Sequence, residues 1–251
     1  MFNQKPMLGQ LPDWTRFPQP AALYVMNEGT GNRVYDLSGN GNTGVFTGNT
    51  LWKPSNNDYG SAVYMDGVND GVLCGIGPSL DVTTNFTIIG FVTPEATQKS
   101  AYATIAQKGT FRYYLGLDAD LNVQIYTNNL GNLKTTGNLI ANETSLVAWT
   151  HESSADIIYI NGEQAATGNL DDPTLIAGTV LGIGIRGDGF SNDYYGMINA
   201  LMIFPVTLVH QQIRHLQIDP FPWFVKEPAI KLWTPPEDGG IVVLRRRREC
   251  A

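Results

Sequence analysis

Three groups of residues in this 251-residue chain have types and spacings suited to chemistry. The run Asp188-Gly189-Phe190-Ser191-Asn192-Asp193-Tyr194-Tyr195 mixes carboxylates, an amide and aromatic rings. Aromatic faces stack on sugar rings, and Asn and Asp fix hydroxyls. Asp188, Asn192, Asp193, Tyr194 and Tyr195 therefore form a candidate carbohydrate site, with Arg112, Tyr113 and Tyr114 as contributors from another loop. The competing reading has the tyrosines capping a core and the aspartates closing turns. The second group is Asp36-Leu37-Ser38-Gly39-Asn40-Gly41-Asn42, which packs oxygen donors into a tight loop. A hard cation such as Ca2+ takes roughly 6–8 oxygen ligands, so Asp36, Asn40 and Asn42 are candidate calcium ligands. Asx-turns that satisfy their own backbone are the alternative. The third group lies at the C-terminal end, where Phe221, Trp223, Phe224, Trp233, Val242 and Leu244 precede Arg245, Arg246, Arg247 and Arg248. A proline-broken segment this apolar must be buried on its own domain or on a partner. As an assembly arm it would bury those side chains on neighbouring subunits, with the arginines meeting an acidic surface.

Catalytic patterns are missing. Glycoside hydrolysis needs two converging carboxyl groups. Glu152 and Asp156 are near each other in sequence, but Ser153-Ser154 between them reads as a turn, and Glu95, Glu143 and Glu163 stand alone. The three histidines are His151, His210 and His215; the last two are five apart on one helical pattern and so do not share a face. There is no Gly-x-Ser-x-Gly elbow and no phosphate-cradling glycine loop. The expectation is a protein that is not an enzyme.

The elements that position these residues are strands. Hydrophobic residues make up 43% of the chain and charged ones only 16%, with 27 glycines and 11 tyrosines, which argues against a helical bundle or bulk disorder. Short β-rich runs include Ala21–Met26, Ala62–Met65, Phe86–Val92, Tyr113–Leu117, Asn122–Tyr126, Ser145–His151, Asp156–Ile160 and Gly196–Phe204. Turn pairs such as Asn40-Gly41, Asp66-Gly67 and Asn161-Gly162 punctuate them. One short helix is predicted over Leu208–Leu216, with Thr207 as its N-cap. The organisation is an extended arm over 1–20, an all-β two-sheet antiparallel sandwich over 21–218, and an extended arm with a basic end over 219–251.

Charge and cysteine usage narrow the partners. The net charge is −7, and setting aside Arg245–Arg248 and Glu249 leaves −10 for the rest. An acidic body repels nucleic acid and anionic bilayers, so neither is an expected partner. Two cysteines, Cys74 and Cys250, do not make a disulfide framework. No apolar run approaches the ~18–20 residues of a membrane helix, and Met1–Gly9 lacks the apolar core of a secretion signal, so synthesis in a cytoplasm without export is expected.

Four ordered segments carry a resemblance. They are Met26-Asn27-Glu28-Gly29-Thr30-Gly31 through Val34 to Gly44; Gly60 to Asp70; the Phe-Thr-Ile strand Phe86 to Pro94; and Ile157-Ile158-Tyr159-Ile160-Asn161-Gly162, followed by Leu181 to Gly184 and Gly196 to Asn199. Over 21–218 the sequence resembles the LamG-like jelly rolls of the concanavalin A-like lectin/glucanase superfamily. The resemblance implies a jelly-roll sandwich and places His151 on a Trp-His strand as a structural residue. It adds Asn199 to the candidate metal set, because Gly196-Met197-Ile198-Asn199-Ala200 stands where the family carries Gly-x-Ile-Asp-Glu. Glucanases of this fold carry Glu-x-Asp-x-x-Glu on one strand, and this chain has no such run. The flanks, Asn3-Gln4-Lys5-Pro6-Met7-Leu8-Gly9 with Trp14 and Asp219-Pro220-Phe221, resemble LamG-like proteins of tailed bacteriophages. That implies a non-enzymatic virion structural protein, located in the virion as a capsid decoration, head fibre or tail-associated part, whose partners are other virion proteins and copies of itself. The alternative is a carbohydrate-binding module that attaches to host-surface glycan.

Overall fold

A computed structural model describes residues 17–55, 60–110, 112–128, 130–153, 155–174, 178–189 and 192–224. The strands in the first half are β1 (Ala22–Tyr24), β2 (Arg33–Val34), β3 (Gly44–Thr47), β4 (Leu51–Pro54), β5 (Ser61–Asp66), β6 (Gly71–Leu73), β7 (Asn85–Pro94) and β8 (Ala103–Lys108). The second half supplies β9 (Tyr113–Leu117), β10 (Asn122–Thr127), β11 (Leu130–Asn138), β12 (Ser145–Glu152), β13 (Ala155–Ile160), β14 (Glu163–Gly168), β15 (Leu181–Ile183) and β16 (Tyr195–Phe204), then helix α1 (His210–Ile218). They form two antiparallel sheets of eight strands. The front sheet runs β14-β13-β12-β7-β16-β5-β4, with β1 also paired to β16; the back sheet runs β11-β10-β9-β8-β15-β6-β3-β2.

Alternation along the strands builds the core. On β7, Phe86, Ile88 and Val92 point between the sheets, where they meet Leu115, Val123 and Ile125 of the back sheet. The other face of β7 is apolar as well. Ile89 and Phe91 join Ala148, Met202 and Phe204 in a second cluster on the outside of the front sheet. Helix α1 covers that cluster with Ile213 and Leu216, and Phe221, Trp223 and Phe224 complete it. A strand whose two faces are both covered loses its polar-out pattern, which is why β7 and β16 read as nearly continuous apolar runs.

Phe17 and the segment after α1 close this outer layer. Phe17 packs edge-on against Trp223 with ring centroids 5.6 Å apart, and Trp223 stacks on Phe204 at 5.9 Å. Trp223 Nε1 donates to the Pro18 carbonyl at 3.2 Å. Phe221, Trp223 and Phe224, expected in an assembly arm, are thus buried on their own domain. Trp233, Val242, Leu244 and Arg245–Arg248 lie outside the described residues.

Two sequence expectations are corrected. The helix begins later than predicted and Val209, not Thr207, is its N-cap; the Thr207 hydroxyl donates to the His151 carbonyl at 2.8 Å instead. Strands β4, β11 and β14 were missed because they sit at sheet edges, where burial is partial and the apolar alternation is thin: each packs one hydrophobic residue, Trp52, Leu133 or Ala166, against the core, and β14 has no fully buried residue.

Candidate functional site

The outer face of the front sheet divides in two at a β-bulge. In β16, Ile198 pairs with Val92 and Ala200 with Phe91, so Asn199 is an inserted residue without a partner in that ladder. On the C-terminal side of the bulge, Leu201–Ile203 pair with β1 and the outward residues are sealed under α1. On the N-terminal side, β16 pairs with β5, and Tyr195 and Met197 lie opposite Asp66 and Tyr64. Among the described residues no helix covers this half. A groove of about 340 Å³ opens there, lined by Lys53, Pro54, Tyr64, Thr93, Glu95, Asn142 and Met197.

The groove is held from beneath. The Ser55 hydroxyl donates to Asn199 Oδ1 at 2.6 Å, Asn199 Nδ2 donates to Thr93 Oγ1 at 3.0 Å, and Thr93 Oγ1 lies 2.8 Å from Thr144 Oγ1. Gln98 clamps the Tyr195 backbone, accepting its N–H at 2.7 Å and donating to its carbonyl at 2.8 Å. The Lys53 ammonium sits 3.1 Å from the centroid of the Tyr64 ring, and Lys99 sits 4.7 Å from that of Tyr195. At Gly67, with φ +79°, an added Cβ would come within 3.0 Å of both the Lys99 stem and the Tyr195 Cβ, so a side chain there would crowd this corner.

Burial, the hydrogen bond and proximity of Tyr195, and the nearby Glu95 and Asp66 carboxylates push the Tyr64 phenol up to about 12. The phenol keeps its proton at neutral pH, and with one hydrogen bond shared with Tyr195 the remaining capacity of its hydroxyl faces the groove. The groove presents a hydroxyl edge, an ammonium group, one carboxylate and one amide beside the apolar Met197 and Pro54. That mix suits a ligand with many hydroxyls and some apolar C–H surface.

The residues predicted for carbohydrate do not converge. Tyr194, just before β16, and Tyr195, its first residue, point to opposite sides of the sheet and do not share a site. Tyr194 is fully buried in the inter-sheet core, while Tyr195 reaches the groove rim through Tyr64. Tyr113 and Tyr114 are also fully buried. Asp188 is bidentate with Arg186, at 2.7 Å for both oxygens. Asn192 gives its carbonyl to Thr104 N–H. Asp193 accepts the Asn69 N–H, and burial together with Asp70 and Asp66 raises its carboxyl above the usual range. Phe190 and Ser191 lie outside the described residues. Lys53, Tyr64, Thr93, Glu95, Asn142 and Met197 were missed. The signal for Tyr64 was present in Ala62-Val63-Tyr64-Met65-Asp66: if Val63 and Met65 point inward, Tyr64 points out.

In the candidate calcium loop, Asp36 Oδ1 accepts Leu23 N–H at 3.1 Å and Ser38 N–H at 2.9 Å; Oδ2 accepts the Asn42 backbone N–H at 3.0 Å and Asn42 Nδ2 at 3.1 Å. Asn40 Nδ2 donates to the Ala21 carbonyl. A cation would have to displace these four donors from a carboxylate with about four acceptor sites. Asn199 bonds with Ser55 and Thr93 instead of this loop.

His151 lies in a separate buried network. Its Nδ1 is 2.9 Å from Asp156 Oδ1 and its Nε2 is 2.9 Å from Asp172 Oδ1. Asp156 also accepts Trp149 Nε1 at 2.7 Å and Leu170 N–H at 2.6 Å. Two carboxylates on two ring nitrogens require both nitrogens to donate, which describes imidazolium. Burial alone would lower the His151 pKa; Asp156 and Asp172 outweigh it and raise it above the ordinary value.

With fold and geometry in place, the family follows. The chain belongs to the concanavalin A-like lectin/glucanases superfamily, whose Laminin_G_3 profile matches residues 66–214. No curated protein matches it in sequence. Among solved structures, it is similar to domain 4 of AbnA, a GH43 extracellular arabinanase from Geobacillus stearothermophilus solved with arabinotriose: 18% identity and a TM-score of 0.64, over 79% of this chain and 98% of that one. It is similar to Trypanosoma rangeli sialidase in complex with sialic acid at 13% identity and a TM-score of 0.61, over 86% of this chain but only 34% of the sialidase. The binding domain of Paraclostridial Mosquitocidal Protein 1 gives 13% identity and a TM-score of 0.60, over 79% of this chain and 52% of that one. At these identities the likeness is one of fold.

Proposed function

We propose that this chain is a carbohydrate-binding module that holds a glycan in the Tyr64 groove without cleaving it. The observation that carries the reading is the groove itself: a half-buried tyrosine with a protonated hydroxyl, flanked by Lys53, Glu95 and Asn142, on the one half of a sheet face left bare by α1. The similar structures solved with arabinotriose and with sialic acid add support. Glu95 is the single carboxylate among the described residues lining the groove, whereas most glycosidases work with two. Attachment to a host-surface glycan would join this reading to the virion setting that the flanks imply, with residues 225–251 as the anchor.

The test is a glycan array probed with the labelled full chain, followed by Tyr64→Ala and Lys53→Ala. Losing a ring and its hydrogen bonds should weaken binding about 10- to 100-fold, the equivalent of about 1–3 kcal/mol. Absence of glycan binding, or binding indifferent to both substitutions, contradicts the proposal. Release of reducing sugar by the pure protein contradicts its non-catalytic part.

A further inference from the structure

A second concavity adjoins the first. It has a volume of about 560 Å³, and its lining includes Ala96, Thr97, Asp120, Asn122, Thr136 and Asn138. The two share a wall one residue thick on each of two segments: Glu95 lines the first groove and Ala96 the second, while Asn142 lines the first and Ala141 the second. Consecutive Cα atoms are about 3.8 Å apart, so the ridge between the two grooves is thin at both segments. Asn142 N–H donates to the Pro94 carbonyl at 2.7 Å and ties the two segments together at the ridge.

The second groove differs in chemistry from the first. No aromatic residue lines it among the described residues. Thr97, Asp120, Thr136 and Asn138 are all exposed, and no side-chain hydrogen bond to another described residue occupies them. Its wall is rigid, however. Asp118 Oδ1 accepts Asp120 N–H at 3.0 Å and Asn122 N–H at 2.9 Å, and Asn122 Nδ2 closes on Oδ2 at 3.0 Å. Leu121 adopts φ +66°, a conformation uncommon for a residue with a Cβ, while its side chain is buried. A hydrogen-bonded wall carrying hydroxyl and amide groups without side-chain hydrogen bonds, and the Asp120 carboxylate facing the Lys134 ammonium, is preorganised for a polar ligand.

We infer that the two grooves form one extended site, and that the ligand class is a linear oligosaccharide or polysaccharide chain, not a single terminal sugar. This rests on the carbohydrate reading above. One sugar unit lies at Tyr64, and the units beyond it cross the Glu95–Ala96 ridge and give their hydroxyls to Thr97, Asp120, Thr136 and Asn138.

Isothermal titration of the full chain with linear arabino-, gluco- and galacto-oligosaccharides, from one to about six residues long, tests the inference. Affinity should rise at least about 10-fold between the disaccharide and the hexasaccharide of the series that binds. Asn138→Ala and Asp120→Ala are exposed changes that should remove most of this gain while leaving disaccharide affinity within about twofold. Affinity that is flat beyond two residues but still falls on Tyr64→Ala overturns the extended site and leaves the carbohydrate reading standing. Equal losses for short and long ligands on Asn138→Ala also overturn it. Binding at no length overturns both.

Discussion

The two halves of the outer face of the front sheet are built on the same strands and end in opposite fates. On one side of Asn199, the outward residues of β7, β12 and β16 are Ile89, Phe91, Ala148, Met202 and Phe204, and α1 with Phe17 and Phe221–Phe224 seals them. On the other side, the outward residues are Thr93, Tyr195, Met197 and Tyr64, and the surface is open. The β7–β16 ladder runs through both halves with a register shift at Asn199; what also changes is side-chain chemistry and which neighbour pairs with β16, β1 in the sealed half and β5 in the open one. Cover is thus decided, among the described residues, by where α1 and the segments at Phe17 and Phe221–Phe224 pack, and the half they leave uncovered is where a ligand can reach the sheet.

This contrast can be broken from either side. Trp223→Ala attacks the sealed half, where the ring is fully buried between Phe17 and Phe204. It should cost about 3–5 kcal/mol in chemical denaturation while leaving glycan affinity of the folded fraction unchanged. Tyr64→Ala attacks the open half and should do the reverse, with stability within about 1 kcal/mol of the parent and affinity lost. A smaller effect comes from His151, beneath neither half. Because its folded pKa is raised, its stabilisation is complete below the ordinary value of about 6.5 and is lost as pH rises through the raised value. Denaturation midpoints from about pH 5.5 to 9 should fall in the parent more steeply than in His151→Gln. Parallel curves would show that the imidazolium with its two carboxylates carries no pH-dependent stability.

Much of the fold was legible in the sequence, because strands with a core face must alternate: Val123 and Ile125 point inward as the pattern requires. Resemblance to the jelly rolls rested on turns such as Asp66-Gly67 and on β7, and these fall where expected. Edge strands were hidden because each sends only one hydrophobic residue (Trp52, Leu133 or Ala166) to the core, too few to show an alternation. The site was less legible. A polar, aromatic run at 188–195 resembles a binding loop, yet burial takes Tyr194 and a salt bridge to Arg186 takes Asp188. The groove is assembled instead from β4, β5, β7, β16 and the turn before β12, each contributing one or two residues that are unremarkable in sequence. Likewise, composition showed that Phe221, Trp223 and Phe224 need burial, but only the fold shows that the domain itself supplies it.

The central claim is that ligand meets the open half of the front sheet. Amide chemical-shift mapping of the full chain during titration with the glycan selected on the array tests it most directly. The account predicts shifts concentrated at residues 53, 64, 93–95, 142 and 195–197. Shifts centred on the 188–192 loop, or on the sealed half around Trp223, would contradict it.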